Sequence, residues 1–263
     1  MRIPLNTEGN RILVELSLRV QQPGTLAIVA AHPTQPHTDY FRRVVRFRPG
    51  EVEGGEGKRL IMVPLPLTPE RLHLDIFDFG GEGPTHFKLR EMAVRTLPPV
   101  AIWASQEQHD FNEFAMEVIQ KMGYMEPGYY TSDDLKYLIQ VVPTLRDHQE
   151  NELITPARIH RLMPRIQASQ KQMRRFSIPM RAAIMFHEVC HYHLNTRSEQ
   201  TADLCGIDYY VKYGFPRIEG VYALTKVFLQ HPGSLGKGHV KRVTDVVNHL
   251  KRFPDRFHPT LSA

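Results

Sequence analysis

Cysteine is scarce in this sequence: two residues, Cys190 and Cys205, occur among 263. So few cysteines exclude the disulfide framework that stabilises many small secreted domains. Long hydrophobic runs are also missing, since the longest ones, such as residues 26–31, are far too short to cross a bilayer. No charged-then-apolar signal segment opens the chain. We therefore expect a protein without a membrane span, located in the cytoplasm or in a virion or other particle assembled there.

A large excess of charge of one sign is absent too, because 33 lysines and arginines stand against 28 acids and the net charge is +5. The most basic segment is residues 42–48, which alternate like a strand with an arginine-rich solvent face. The same arginines could bind phosphates or an acidic partner. Acids follow at once at Glu51, Glu53 and Glu56, which favours the solvent-face interpretation. Nucleic acid is therefore not the partner that we expect.

The first 97 residues have the pattern of β structure. Residues 11–20 place apolar side chains on one face of a strand: Ile12, Val14, Leu16, Leu18 and Val20. Further strands are predicted at residues 25–31, 40–47, 59–64, 71–79 and 86–95. Short strands at this spacing, separated by Gly- and Pro-rich turns, predict an antiparallel β-sandwich over residues 1–97. Because this region carries no catalytic motif, we expect an accessory domain that binds a protein partner.

A domain boundary is predicted at Pro98-Pro99, after which the hydrophobic period becomes helical. Helices are predicted for three segments: residues 106–122, 132–142 and 155–171. Pro164 is expected to kink or split the last of them. The sequence therefore predicts an α+β protein, with the β-sandwich of residues 1–97 followed by a mainly α-helical domain over residues 98–263.

Residues 187–191 have the HExxH pattern of zinc hydrolases. On a helix, His187 and His191 are four residues apart, so both rings face one point in space. Glu188 stands beside them, where it can take a proton from a metal-activated water. Because histidine is abundant, with 14 residues in the chain, the pattern needs the support of a third ligand.

A carboxylate pair on the next predicted helix supplies that third ligand. This helix begins near Ser198 after a short link, so it can pack back against the first. Glu199 and Asp203 are four residues apart and share one of its faces. We expect Glu199 to complete a Zn²⁺ site with the two histidines. Asp203 is expected to accept the free ring N–H of one of them.

At these residues the chain resembles the gluzincins, zinc metallopeptidases that combine HExxH with a glutamate on a following helix. It is most similar to the heat-shock and CAAX-processing peptidases, whose second motif is E-x-x-A-D-x-x-G followed by a glycine and a proline, and to compact phage-type relatives. The matching positions are Glu199, Ala202, Asp203, Gly206, Gly214 and Pro216. A downstream His-Pro and arginine of that group correspond to His231-Pro232 and Arg242. The resemblance covers residues 178–242 and implies that His231 donates to the oxyanion of the tetrahedral intermediate.

Several other side chains near the motif have a plainer interpretation. Cys190 stands where the group commonly has glycine, and we expect both cysteines to be packing residues rather than soft zinc ligands. His193 lies roughly 240° round the helix from His187, so it is expected at the surface or behind the ligands. Tyr209 and Tyr210 are expected in the core.

Three functions remain open from the sequence, of which nucleic-acid binding through residues 42–48 is the least favoured. The first is a zinc metalloendopeptidase that hydrolyses a polypeptide substrate, with Glu188 as the general base. In it, Zn²⁺ is held by His187, His191 and Glu199. The alternative is a catalytically silent gluzincin-like scaffold, a structural component of a viral or other large assembly.

Overall fold

The computed structural model describes residues 1–48, 57–78, 87–98, 105–160, 162–217, 219–222, 225 and 237–253. Within these ranges the chain divides into two compact units. The first holds residues 1–34 and 39–98, and the second holds residues 35–38 and 105–253. Strands and helices are both present, so the fold class is α+β, as predicted.

The described part of the first unit consists of strands in two antiparallel sheets. The strands are β1 (Arg2–Asn6), β2 (Ile12–Val20), β3 (Gly24–Ala31), β4 (Asp39–Phe47), β5 (Gly57–Leu65), β6 (Arg71–Asp78) and β7 (Phe87–Thr96). One sheet has the order β1-β6-β3-β4 and the other β5-β2-β7. Apolar side chains at alternate positions of β2 form its buried face, and Val14, Leu16 and Leu18 are all fully buried.

All six predicted strands are present, and their described ends differ from the prediction by no more than two residues. Phe79 and His86, at the ends of two predicted strands, lie outside the described residues. Strand β1 was not predicted, because it is short and contains Pro4. Proline is tolerated there because β1 is an edge strand of its sheet.

The arginine-rich segment forms β4, at the other edge of the same sheet. Arg42 and Arg46 are exposed on one face, while Val45 and Phe47 are buried on the other. Arg43 lies on the buried side and places its guanidinium carbon 5.3 Å from the centre of the Phe41 ring. The alternation therefore has the solvent face that the sequence predicted, with Arg43 packed on an aromatic ring.

The second unit combines helices with a four-stranded sheet. Its elements are α1 (Gln106–Lys121), β8 (Gly128–Thr131), β9 (Leu138–Val142), β10 (Ala157–His160), β11 (Arg165–Ser169), α2 (Gln170–Met173), α3 (Ile178–His193), α4 (Glu199–Tyr213) and α5 (Lys237–Leu250). The sheet order is β10-β11-β9-β8, with β9 parallel to β11 and the other neighbours antiparallel. No helix in the described ranges is both long and apolar enough to cross a membrane.

The helix predicted for residues 132–142 is wrong. Residues 132–137 form a turn in which Leu135 adopts a left-handed φ of 58°, and the Ser132 hydroxyl accepts from Tyr137 N–H at 3.0 Å. Strand β9 follows, with Ile139 and Val141 buried on one face. The sequence predicted a helix because apolar residues recur at i, i+3, i+4 and i+7, which is the spacing of a helical stripe: Leu135, Leu138, Ile139 and Val142.

The helix predicted for residues 155–171 is wrong as well. The chain forms the antiparallel pair β10 and β11 and then the single turn α2. Pro164 lies in the turn between the strands, where its fixed φ is tolerated. Ile166 and Ala168 of β11 are buried with period two. The second unit therefore contains a four-stranded sheet beside its helices, which the sequence did not predict.

A buried arginine fixes α3 within the second unit. Arg181 is fully buried, and its guanidinium donates to the carbonyls of Met173 at 2.9 Å and Ile119 at 3.0 Å. Ile119 belongs to α1, which spans the predicted segment to within one residue. A buried cation is stable only when it is fully hydrogen-bonded, so these contacts set the position of the first turn of α3.

Candidate metal centre

Helix α3 presents the HExxH residues from a largely buried position. Ser177 is its N-cap residue and Pro179 lies in its first turn, which are the start signals present in the sequence. Its fully buried residues include Met185, Phe186, Val189 and Cys190. The side chains of His187 and His191 are 16% and 10% exposed, so both rings lie at the margin of the core.

A five-residue link, residues 194–198, returns the chain to the ligand side of α3. Asn195 in the link adopts a left-handed φ of 44°. Ser198 caps α4 by accepting from Thr201 N–H at 3.2 Å, which places Glu199 in the first turn. Farther along α4, Gly206 lies on the His187 backbone so closely that a Cβ atom would be 2.8 Å from His187 N. The link and this close approach bring Glu199 next to the histidines.

Three ligand atoms converge between α3 and α4. His187 Nε2 and His191 Nε2 are 3.2 Å apart. His187 Nε2 is 3.5 Å from Glu199 Oε2, and His191 Nε2 is 3.5 Å from the other oxygen, Oε1. In a tetrahedral zinc site with bonds of about 2.0–2.1 Å, neighbouring ligand atoms are roughly 3.3 Å apart. The two nitrogens and the Glu199 carboxylate are therefore close enough together to hold one metal ion as three protein ligands.

Contacts behind the rings direct both Nε2 atoms towards the centre. His191 Nδ1 donates to the backbone carbonyl of Thr196 at 2.9 Å. His187 Nδ1 is 2.9 Å from Asp203 Oδ1, and the Asp203 side chain is only 1% exposed. A proton on Nδ1 leaves the lone pair of a neutral imidazole on Nε2, which is the tautomer that binds a metal.

Arg242 of α5 connects the acidic residues of the site. It contacts Asp203 through two bonds, Nε to Oδ2 at 2.6 Å and Nη2 to Oδ1 at 2.9 Å. The same Nη2 is 3.1 Å from Glu199 Oε2. Such a bidentate pair fixes both carboxylates in orientation. Glu188 adds a third carboxyl group to the site against this single arginine.

In the metal-free site, the charged neighbours of the ligand residues shift the pKa values of these residues. Burial opposes protonation of His187, but Asp203 and Glu199 outweigh it and raise its pKa to about 10. The contact with His187 lowers the pKa of Glu199 to about 2. For Asp203, burial favours the neutral acid, yet His187 and Arg242 lower its pKa below the ordinary value. The carboxylates are thus ionised at neutral pH and attract cations.

Glu188 lies beside the ligands without belonging to the group of converging atoms. Loss of hydration raises the pKa of its carboxyl to about 7, with a further raising effect of Glu199 and opposing effects of His187 and Ile159. The Ile159 effect is a hydrogen bond from its backbone N–H in β10. A carboxylate with a pKa near neutrality can both accept and release a proton.

The remaining residues singled out in the sequence fall outside this centre. His231, expected to stabilise an oxyanion, lies outside the described residues. His193 is absent from the ligand group; its Nδ1 is 3.1 Å from the Tyr209 hydroxyl. Tyr209 and Tyr210 are 5% and 0% exposed, in agreement with a place in the core.

The expectation that Cys190 and Cys205 are merely packing residues is wrong. The two form a disulfide between α3 and α4, with their Cα atoms 6.0 Å apart. The spacing of 15 residues did not reveal this pairing, because it depends on how the two helices lie against each other.

Four features of the site were missed in the sequence: the disulfide, the Thr196 carbonyl, the Ile159 N–H and the close approach at Gly206. The glycine alone carried a signal, since glycine inside a helix is unfavourable unless close packing requires it. The contacts of a backbone carbonyl or N–H group cannot be inferred in this way, because every residue type has these groups.

No protein-family model, curated protein or solved structure matches this chain significantly. The geometry and ionisation of the site are therefore the grounds on which a function is assigned.

Proposed function

We propose that this protein is a zinc-dependent metallopeptidase of the gluzincin type. The observation that carries the proposal is the spacing of the His187, His191 and Glu199 ligand atoms at 3.2–3.5 Å. The partly buried Glu188 carboxylate adjoins them. Two imidazoles and one carboxylate are a donor set that binds Zn²⁺ and leaves a position open for catalysis.

Glu188 is the general base in this proposal. A zinc ion at the site supplies Lewis-acid chemistry, which acidifies water and polarises a carbonyl oxygen. The Glu188 carboxylate takes a proton from the attacking water as the water oxygen bonds to the scissile carbonyl carbon. The same proton then passes to the departing amine as the C–N bond breaks. Burial of Glu188 favours its protonated form, which helps this carboxyl group to hold the proton between the two transfers.

The position of β10 favours a polypeptide as the substrate. Among the described strands β10 pairs only with β11, so it is an edge strand of its sheet. The hydrogen bond from Ile159 to Glu188 places this edge beside the proposed base. Edge strands bind extended peptides through main-chain hydrogen bonds. A peptide bound along β10 would therefore pass close to the metal ligands.

The fold supports two finer assignments, which belong to the same proposal. The second unit, with its mixed sheet and the helix pair α3–α4, is the zincin-like peptidase domain. The first unit is a β-sandwich formed by its two antiparallel sheets, each of which buries an apolar face. Its described residues supply no ligand to the site, and it would serve to bind a protein partner.

Removal of the metal should abolish peptide cleavage. Full-length protein is incubated with a library of quenched fluorescent peptides before and after treatment with a zinc chelator. We expect cleavage to be lost on chelation and restored by one equivalent of Zn²⁺, since no side chain of the site can replace the Lewis acid. The His191→Ala variant should not regain activity, whereas His148→Ala, at an exposed position, should behave like the wild type.

Two outcomes would count against the enzyme. Cleavage that survives complete removal of metal would exclude zinc-dependent hydrolysis. Stoichiometric zinc binding without cleavage of any library member would favour the catalytically silent scaffold instead.

A further inference from the structure

The Cys190–Cys205 disulfide joins the two helices that supply the metal ligands. Cys190 directly precedes His191 on α3. Cys205 directly precedes Gly206, the residue that lies on the His187 backbone. Peptide hydrolysis as proposed above uses neither sulfur. The disulfide therefore lies next to the metal ligands but takes no part in the proposed reaction.

The ligand set depends on the position of α4 relative to α3. Both histidines belong to α3, whereas Glu199 belongs to α4 and lies 3.5 Å from each ring. Metal–ligand distances tolerate deviations of only about 0.2 Å, so a small displacement of α4 removes Glu199 from coordination. Arg242 cannot prevent this displacement, because it attaches Asp203 and Glu199 to α5 and not to α3. The disulfide is the covalent contact between the ligand helices beyond their five-residue link.

One of the two cysteines is partly exposed to solvent. Cys190 is fully buried, but Cys205 is partly exposed. Exchange begins with attack of a thiolate on an accessible sulfur, so the partly exposed Cys205 is where a thiol reductant reaches the bond.

We propose that Cys190 and Cys205 form a redox site that controls the metal affinity of this centre. The inference rests on the proposed function in that the centre must hold zinc. In the oxidised state the bond keeps Glu199 in place beside the histidines. A dithiol reductant supplies two electrons and two protons: the S–S bond breaks, two cysteine thiols form, and the reductant becomes a disulfide. In the reduced state the covalent bond between α3 and α4 is lost, so α4 shifts more easily against its remaining contacts, and the protein binds zinc more weakly.

The test compares the zinc affinity of the full-length chain in its two redox states. Affinity is measured by competition with a fluorescent zinc chelator, before and after treatment with a phosphine reductant. The phosphine takes oxygen from water to become a phosphine oxide, and the two protons of that water go to the thiols. Free thiols are counted with a thiol-reactive dye, and circular dichroism checks that the chain stays folded. We expect no free thiol in the oxidised protein and two in the reduced protein. Zinc binding should be about tenfold to a hundredfold weaker after reduction, as when a group that orients a ligand is lost.

The control is the double variant Cys190→Ala/Cys205→Ala, which should bind zinc as weakly as the reduced wild type and be insensitive to the reductant. Equal or tighter zinc binding by the folded, reduced wild type would overturn the redox role and leave the peptidase proposal intact. Two free thiols under oxidising conditions would overturn it as well. Absence of zinc binding in both states would overturn both proposals.

Discussion

Glu188→Gln is expected to lower kcat/KM for peptide cleavage by about a thousandfold while the protein still binds one zinc ion. The amide has the size of the carboxylate but cannot accept the proton of the attacking water. Zinc is retained because the ligand atoms come from His187, His191 and Glu199. The measurement is kcat/KM on a peptide from the library, with zinc content determined on the same preparation. Glu113→Gln, at an exposed position on α1, is the matched control and should retain full activity.

The pH dependence of kcat/KM for the wild type should reflect the ionisation of the Glu188 carboxyl group. Burial raises the pKa of Glu188 to about 7 before metal binds, and a bound dication lowers it. Because the ionised form is the base, kcat/KM should fall as the pH drops below a midpoint at or under that value. The residual activity of Glu188→Gln should lack this acid limb. A Glu188→Gln enzyme that binds zinc and cleaves at the wild-type rate would exclude Glu188 as the base.

Gly206→Ala is expected to destabilise the protein by about 2–3 kcal/mol and to weaken zinc binding. The added Cβ would lie 2.8 Å from His187 N and 2.9 Å from His187 Cα. These are backbone atoms that cannot rotate away, so α4 must move off α3 and carry Glu199 with it. Stability is measured by urea unfolding of the metal-free protein, and zinc affinity by chelator competition.

The matched control is the same substitution at Gly238. This residue lies in α5, and apart from its own helix and chain neighbours no described atom is within 4 Å of the position that its Cβ would take. Because alanine is favoured over glycine in a helix, Gly238→Ala should stabilise the protein by up to about 1 kcal/mol. If Gly206→Ala lowers the free energy of unfolding and Gly238→Ala raises it, the close contact between α3 and α4 is the reason for glycine at position 206. An equally stable Gly206→Ala protein with unchanged zinc affinity would contradict it.

The parts of the molecule that could be predicted from the sequence are those determined by neighbours along the chain. The start of α3 follows from Ser177 and Pro179, and the common face of His187 and His191 follows from helical spacing. The strands of the first unit were predicted for the same reason, since their alternation is local.

The parts that could not be predicted depend on contacts between distant residues. The sheet of the second unit pairs β9 with β11 in parallel, and in that pairing Gln140 and Gln167 are 27 residues apart. A short apolar segment does not show whether such a partner exists, so β9 resembled a helix. The disulfide and the Arg242–Asp203 contact, across 39 residues, likewise require the positions of whole helices.

The zinc-edge X-ray absorption spectrum of the zinc-loaded chain tests the metal centre most directly. We predict two imidazole nitrogens at about 2.0–2.1 Å and carboxylate or water oxygens at about 2.0–2.2 Å, with no sulfur. This is the ligand set that His187, His191 and Glu199 provide. A sulfur shell at about 2.3 Å, or a purified chain that retains no zinc, would contradict the assignment.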